Sequence, residues 1–156
     1  MNDPEVTAGM FKGLFPNTPE KQRRFFEKMY DDPANLQLAI EARPEGELVG
    51  TVGLHQIDQF HKNADVSIVL GESGFRGRGL GREALSLVVA HAFDKLCLHK
   101  LTGGMYATNE ASRRLFEAVG FAREGVLREQ ALVKGVFVDI YKYGLVAREW
   151  RAAGVD

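Results

Sequence analysis

One stretch limits the folds open to this chain more than any other: Gly71-Glu72-Ser73-Gly74-Phe75-Arg76-Gly77-Arg78-Gly79-Leu80-Gly81. Upstream, Asp65-Val66-Ser67-Ile68-Val69-Leu70 alternates, with Val66, Ile68 and Leu70 on one face, which is the pattern of a strand. Downstream, Leu85, Val88, Val89, Ala92, Phe93 and Leu96 recur at helical spacing, while Arg82, Glu83, Ser86 and Asp94 fall on the other side. That pattern predicts an amphipathic helix. A glycine run feeding a helix start lets the backbone turn tightly and aims several unspent N–H groups at one point, where the helix dipole also favours an anion. Arg76, Arg78 and Arg82 add cationic side chains around the same point. The stretch reads as a phosphate cradle, and the plainer alternative is a glycine-rich turn that caps a helix.

Spacing decides among three phosphate-binding templates. The P-loop fails, because Leu80 and Gly81 stand where Lys and Ser/Thr are required. The dinucleotide fingerprint half fits through Gly79-Leu80-Gly81-Arg82-Glu83-Ala84, but that motif sits in a first βαβ unit, and here nearly half the chain precedes it. The third template, Arg/Gln-x-x-Gly-x-Gly/Ala, is met by Arg76, Gly79 and Gly81. It is the pyrophosphate loop of the GNAT acyl-CoA N-acetyltransferases, which the chain resembles.

Composition narrows the class further. At 156 residues, 45% hydrophobic and 26% charged, the chain is expected to form one domain, residues 1–156, with a single core. A formal net charge of −1 provides no basic field for nucleic acid, so no nucleic-acid partner is expected. Cys97 is the only cysteine, which excludes an internal disulfide and leaves a thiolate metal site without partners; no metal is expected. No apolar run is long enough to span a bilayer, and Met1-Asn2-Asp3-Pro4 carries no signal pattern. The expectation is therefore no membrane and a cytoplasmic location.

Along the chain, the first thirty residues read as helical and rich in aromatics: Phe11, Phe15, Phe25, Phe26 and Tyr30. They are expected to be core. Thr18 caps a helix that starts at Pro19, with Gln22, Phe25, Phe26 and Met29 as its inner stripe and Asp31-Asp32-Pro33 as its stop. The preceding segment, 12–17, reads as a loop. Leu36 to Glu41 and Leu48 to Asp58 read as strands around a turn at Pro44-Glu45-Gly46, and Gln59 to Asn63 turns back into the strand that enters the glycines. Lys100 to Ala107 is a further strand. Residues 110–119 are a short helix with Ala111, Leu115, Ala118 and Val119 inward and Gly120 past its end. Two antiparallel strands joined at Lys134-Gly135 finish the chain, the second from Val136 to Val146.

This order matches the GNAT fold over nearly the whole chain. The resemblance implies an α/β (α+β) architecture: a mixed, mostly antiparallel sheet of about six strands, flanked by about four helices and splayed between the strands before and after the CoA-binding helix. Asn109-Glu110-Ala111-Ser112, closing at Gly120-Phe121, looks like a second family signature. Glu124-Gly125-Val126-Leu127-Arg128, with Gly135, Asp139, Tyr141, Glu149 and Trp150, is similar to the branch of ribosomal-protein N-terminal acetyltransferases and their amino-sugar and polyamine relatives. In one respect the chain departs: the strand that opens members of that branch, before the segment resembling Asn2 to Val6, is missing. The sheet edge so left could take a partner chain, so a homodimer is considered.

What the resemblance implies chemically is transfer of an acetyl group from acetyl-CoA, used as cosubstrate, to a primary amine in a ternary complex. The acceptor would be a small molecule or peptide: a protein N-terminus, an amino sugar or a polyamine. The backbone of Ile68, Val69 and Leu70 would pair with the pantetheine arm. Arg76, Gly77, Arg78, Gly79, Leu80 and Gly81 would hold the pyrophosphate, and Asn109 would bond the pantetheine unless it serves only as a helix N-cap. Asp65 occupies the place where several relatives carry a carboxylate, and His55 on the neighbouring strand titrates in the right range for a base. Phe116 stands where many relatives have a tyrosine acid, leaving Ser112, Tyr143 or water as proton donor. Cys97 is expected in the core rather than as an acyl-carrying nucleophile. The rival of a different class is a non-catalytic acyl-CoA or nucleotide-binding module, with Phe116 as its hint.

Overall fold

The computed structural model describes residues 18–44, 46–71 and 77–154. The readings placed on residues 1–17, including the first helix, the loop at 12–17, Phe11, Phe15 and the missing opening strand, lie outside the described residues. So do the side chains of Phe26 and Tyr30, and Arg76.

Helix α1 spans Pro19–Tyr30, with Thr18 Oγ1 accepting from the Lys21 N–H at 3.2 Å. Strands β1 (Leu36–Ala42), β2 (Glu47–Asp58) and β3 (Asn63–Leu70) follow as a meander. At the β2–β3 turn the Asp58 carboxylate accepts from the N–H groups of Phe60 and His61, each at 2.8 Å, as short acidic side chains do in turns. Then come α2 (Leu80–Asp94), β4 (Lys100–Tyr106), α3 (Glu110–Val119), β5 (Ala122–Val133), β6 (Val136–Val146) and α4 (Ala147–Ala152). The β5–β6 hairpin turns at Lys134 and Gly135, with φ of 49° and 82°, the paired left-handed geometry that matches strand twist.

One six-stranded sheet runs in the order β1-β2-β3-β4-β6-β5. Every adjacent pair is antiparallel except β3–β4. Side chains alternate between faces, and two contacts settle which face is which. A Cβ on Gly81 would stand 3.1 Å from Leu70 Cδ1, 3.5 Å from Leu115 Cδ2 and 3.9 Å from Ile68 Cδ1, and one on Gly103 would collide with the Phe116 ring. Hence Val66, Ile68, Leu70, Gly103 and Met105 face α2 and α3. Asp65, Ser67, Val69, Thr102, Gly104 and Tyr106 face the other way. The helix-side core joins Leu85, Val88, Val89, Ala92 and Phe93 of α2 to Val52, Leu54, Val66, Leu101 and Leu145 of the strands, all buried. Side chains of this kind contribute about 1.5–3 kcal/mol each when fully buried.

Several expectations are corrected here. Phe25 is 40% exposed rather than core. On α3, Ala111 and Ala118 are exposed; the buried members are Phe116 and Val119, because the stripe is turned to set Phe116 on Gly103. Cys97 is exposed, since α2 ends at Asp94 and Cys97 sits in the following turn with φ of 51°. The closing helix α4 was not read from the sequence. Its six residues carry too little periodicity, although the Glu149 carboxylate accepts from the Val146 N–H at 3.1 Å and Trp150 is buried.

Candidate functional site

The central irregularity of the sheet lies between β3 and β4. Their parallel pairing covers only Asn63↔Lys100, Ala64↔Leu101 and Asp65↔Thr102, although β3 continues to Leu70 and β4 to Tyr106. Beyond Asp65 the two strands part, and among the described residues no strand fills the gap. At its vertex Thr102 Oγ1 donates to Asp65 Oδ1. The Gly71 N–H donates to the Val49 carbonyl across the β2–β3 pair at 2.9 Å. Main-chain groups alternate sides along a strand, so those of Val69 and Ser67 also address β2, whereas Ile68 and Leu70 direct theirs into the opening.

The start of α2 lies on the helix side of this gap. Gly79 is its N-cap, with φ of 82° and no side-chain cap, and the first intrahelical bond runs from the Glu83 N–H to the Gly79 carbonyl at 3.0 Å. The N–H groups of Leu80, Gly81 and Arg82 therefore have no intrahelical partner. Gly77, with φ of 79°, and Gly79 take a conformation that residues with a Cβ rarely adopt. The place of a Cβ on either has no atom within 4 Å among the described residues. Open space before a fan of N–H groups is what a phosphate group of a CoA requires. Gly81 differs: it is buried, and its missing side chain makes room for Leu70 and Leu115 rather than for a ligand. Arg78 and Arg82 are exposed beside it.

Helix α3 begins on the same side. Asn109 is its N-cap, its Oδ1 accepting from the Ser112 N–H at 3.1 Å, which leaves the amide Nδ2 as its remaining donor. The Ser112 hydroxyl makes no hydrogen bond among the described residues and is half-buried. Phe116 is wedged against Gly103, 4.9 Å from the Phe121 ring and 6.3 Å from that of Tyr143 between centroids. Tyr143 is buried, and its hydroxyl donates to Glu117 Oε1 at 2.9 Å. Burial first, and then the Glu117 carboxylate, push its pKa up. It is thus an engaged structural phenol. Burial likewise raises the pKa of Tyr106, at the end of β4.

The opposite face presents the basic candidates. His55 and Asp65 are direct partners in the β2–β3 register and so share that face. His55 Nδ1 lies 3.2 Å from Asn35 Oδ1, and its Nε2 2.7 Å from Ser67 Oγ. Asn35 Nδ2 donates in turn to Asp32 Oδ2 at 2.8 Å. The sequence assigns no site role to Asn35, Ser67, Asp32 or Thr102, because their side chains meet only through sheet register. Cys97 lies past the far end of α2, a 15-residue helix about 22 Å long at 1.5 Å per residue. It is remote from the cradle.

Comparison with known proteins agrees with this architecture. Residues 1–122 match the family model described as acetyltransferase (GNAT) domain. An uncharacterized N-acetyltransferase, YoaA, of Bacillus subtilis (strain 168) is 33% identical over 121 residues, 78% of this chain and 68% of that protein. A putative ribosomal N-acetyltransferase, YdaF, of the same organism is 32% identical over 106 residues, 68% of this chain and 57% of that protein. Among solved structures, the spermidine N-acetyltransferase from Vibrio cholerae in complex with CoA and spermine shares the fold, with a TM-score of 0.88 at 22% identity over 96% of this chain and 87% of that one. The chain belongs to the GNAT acetyltransferase family, enzymes that carry an acetyl group from acetyl-CoA to an amine.

Proposed function

We propose that residues 1–156 form a single transferase domain that acetylates a primary amine by direct transfer from acetyl-CoA, both substrates being bound together. One observation carries this reading: β3 and β4 part just beyond Asp65 and Thr102, beside the N–H groups of α2 that have no intrahelical partner. The thioester supplies the acetyl group. The main-chain groups of Ile68 and Leu70 would hold the pantetheine arm, and Val69 would line the slot through its side chain. Gly77, Gly79, Leu80 and Gly81 would bind the pyrophosphate through N–H groups, with Arg76 and Arg78 adding charge; Asn109 Nδ2 would reach the arm. Holding the reactants together in this way accounts for much of such a catalyst's rate. The face that carries Asp65 and His55 would take up the amine's proton, and Ser112 would protonate the departing sulfur. The exposed Cys97 at the far end of α2 supports transfer without a cysteinyl intermediate.

The acceptor we favour is a cationic small molecule or a peptide N-terminus, in keeping with the polyamine and ribosomal acetyltransferases among the relatives, and the compartment is the cytoplasm. Self-association would involve the apolar side chains exposed at the end of the β5–β6 hairpin, Leu132, Val136 and Phe137, more than β1. Titration with acetyl-CoA and with NAD, followed by thiol release against a panel of polyamines, peptides and amino sugars, tests the function. Acetyl-CoA binding with amine-dependent thiol release is expected. Tight NAD binding with acetyl-CoA silent would overturn it.

A further inference from the structure

The acceptor face carries a chain of hydrogen bonds whose direction is dictated by chemistry. A carboxylate only accepts, and Asp32 does so twice: from the Ala34 N–H at 2.9 Å and from Asn35 Nδ2 at 2.8 Å. The Asn35 amide nitrogen is therefore committed to Asp32, and its carbonyl oxygen is the atom that meets His55 Nδ1 at 3.2 Å. A carbonyl oxygen only accepts, so Nδ1 carries the proton. The neutral ring then presents Nε2 as an acceptor, and the Ser67 hydroxyl, 2.7 Å away, donates into it. Each link orients the next, and the last one draws the Ser67 proton toward the imidazole.

Ser67 is well placed to use this. It lies two residues beyond Asp65, the last residue of β3 paired with β4, on the same face as His55. Gly53 lies opposite it on β2, and on β4 the same face carries Gly104, over which the Lys142 side chain lies. Gly53 has no room for a side chain, since a Cβ there would stand 2.5 Å from the Leu36 carbonyl oxygen and 2.9 Å from Gln37 Oε1. Asp65, by contrast, is engaged by Thr102 at the vertex.

We propose that Ser67 is the catalytic residue that receives the amine's proton, that His55 stores it, and that Asn35 and Asp32 are positioning residues that hold His55 in the tautomer this needs. The proposal rests on the acetyl-transfer reading and assigns its base. An ammonium acceptor enters with three protons on nitrogen. Ser67 Oγ takes one as its own moves to Nε2, and the freed nitrogen lone pair forms the new bond to the acetyl carbon. The carbon–sulfur bond breaks with its electron pair on sulfur; Ser112 gives that sulfur its hydroxyl proton and regains one from solvent as the second nitrogen proton leaves to solvent, and the third stays on the amide. His55 then returns its proton to solvent, restoring the starting state. Among the described residues, the charged groups on the face of His55 include Asp65 across the β2–β3 pair, Asp32 beyond Asn35 and, further across the sheet, Lys142, whose Nζ lies 3.6 Å from the place of a Cβ on Gly104, and Glu124, which packs on Gly144 and pairs with Lys100; β1 presents Gln37, which is uncharged.

Two experiments test this. Nitrogen NMR of the His55 ring in the protein without ligands should show the Nδ1–H tautomer; an Nε2–H tautomer would overturn the relay whatever the activity. In kinetics, Ser67→Ala should lower kcat about 10²-fold with the KM for acetyl-CoA and the melting temperature nearly unchanged, and Ser67→Thr should recover most of the rate. Asn35→Asp should move the acidic limb of the pH profile upward by about one unit or more, because a carboxylate beside Nδ1 favours the imidazolium. A Ser67→Ala enzyme with wild-type rate and limb would sink the relay while leaving the transferase reading intact. Failure of the wild type to release thiol with any amine would sink that reading instead, and the ring tautomer would still decide the relay.

Discussion

The two sides of the β3–β4 opening are built by different means. On the helix side, the proposed cradle is made of main chain: two left-handed glycines, a helix start and a strand edge, all within residues 68–82. On the opposite side, where we place the acceptor, the polar groups are side chains drawn from the turn after α1, from β2, from β3 and from β4, which meet through register. The first kind of site is encoded by where side chains are absent, and the second by which ones fall opposite one another. Each should therefore break in its own way: the cradle by adding atoms, the acceptor face by removing polar ones.

The largest effect is expected at Gly79. In Gly79→Val a β-branched residue must hold φ of 82°, at a cost of about 1–2 kcal/mol, and its side chain enters the space before the α2 N–H groups. Acetyl-CoA affinity in a calorimetric titration should fall about 10²-fold or more, a loss of about 2.7 kcal/mol or greater. Gly81→Val separates two roles that the motif runs together. Because its Cβ points at Leu70 and Leu115, the expected damage is to packing, about 1–3 kcal/mol, seen in the melting curve. A Gly81→Val protein of normal stability that fails to bind acetyl-CoA would return this glycine to the cradle.

Phe116→Tyr comes next. If this position merely lacked the family's phenol, restoring one should raise kcat. The ring tip lies against Gly103, so the added hydroxyl is expected to be buried without a partner and to cost about 1–3 kcal/mol of stability with no gain in rate. A faster enzyme with an unchanged melting curve would contradict that. The smallest effect is assigned to Asp65→Asn, which keeps an acceptor for Thr102 at the vertex: kcat should fall less than about 10-fold, below the range usual for loss of a proton-transfer group. A loss of about 10²-fold with a moved acidic limb would make Asp65 the base.

The same contrast accounts for what the sequence made legible. Alternation in β3, the stripe of α2 and the glycines between them are local patterns, and the helix at 110–119 and the strand at 136–146 stand at the residues expected. Asn109 was foreseen both as a cap and as a ligand residue; the cap is formed. The relay was not legible, because Asn35, His55 and Ser67 lie 20 and 12 residues apart and carry no motif. Nor was the engagement of Tyr143 by Glu117, which joins residues 26 apart in the chain. Cys97 was misread because the helical stripe was carried to Leu96, two residues past the end of α2 at Asp94.

The most direct test is product formation. Wild-type protein, acetyl-CoA and each amine of the panel should give free CoA thiol and N-acetylated amine in equal amounts, with no thiol released in the absence of amine. Binding of acetyl-CoA with no acetylated product from any amine would contradict the account and make the chain a binding module on a transferase fold.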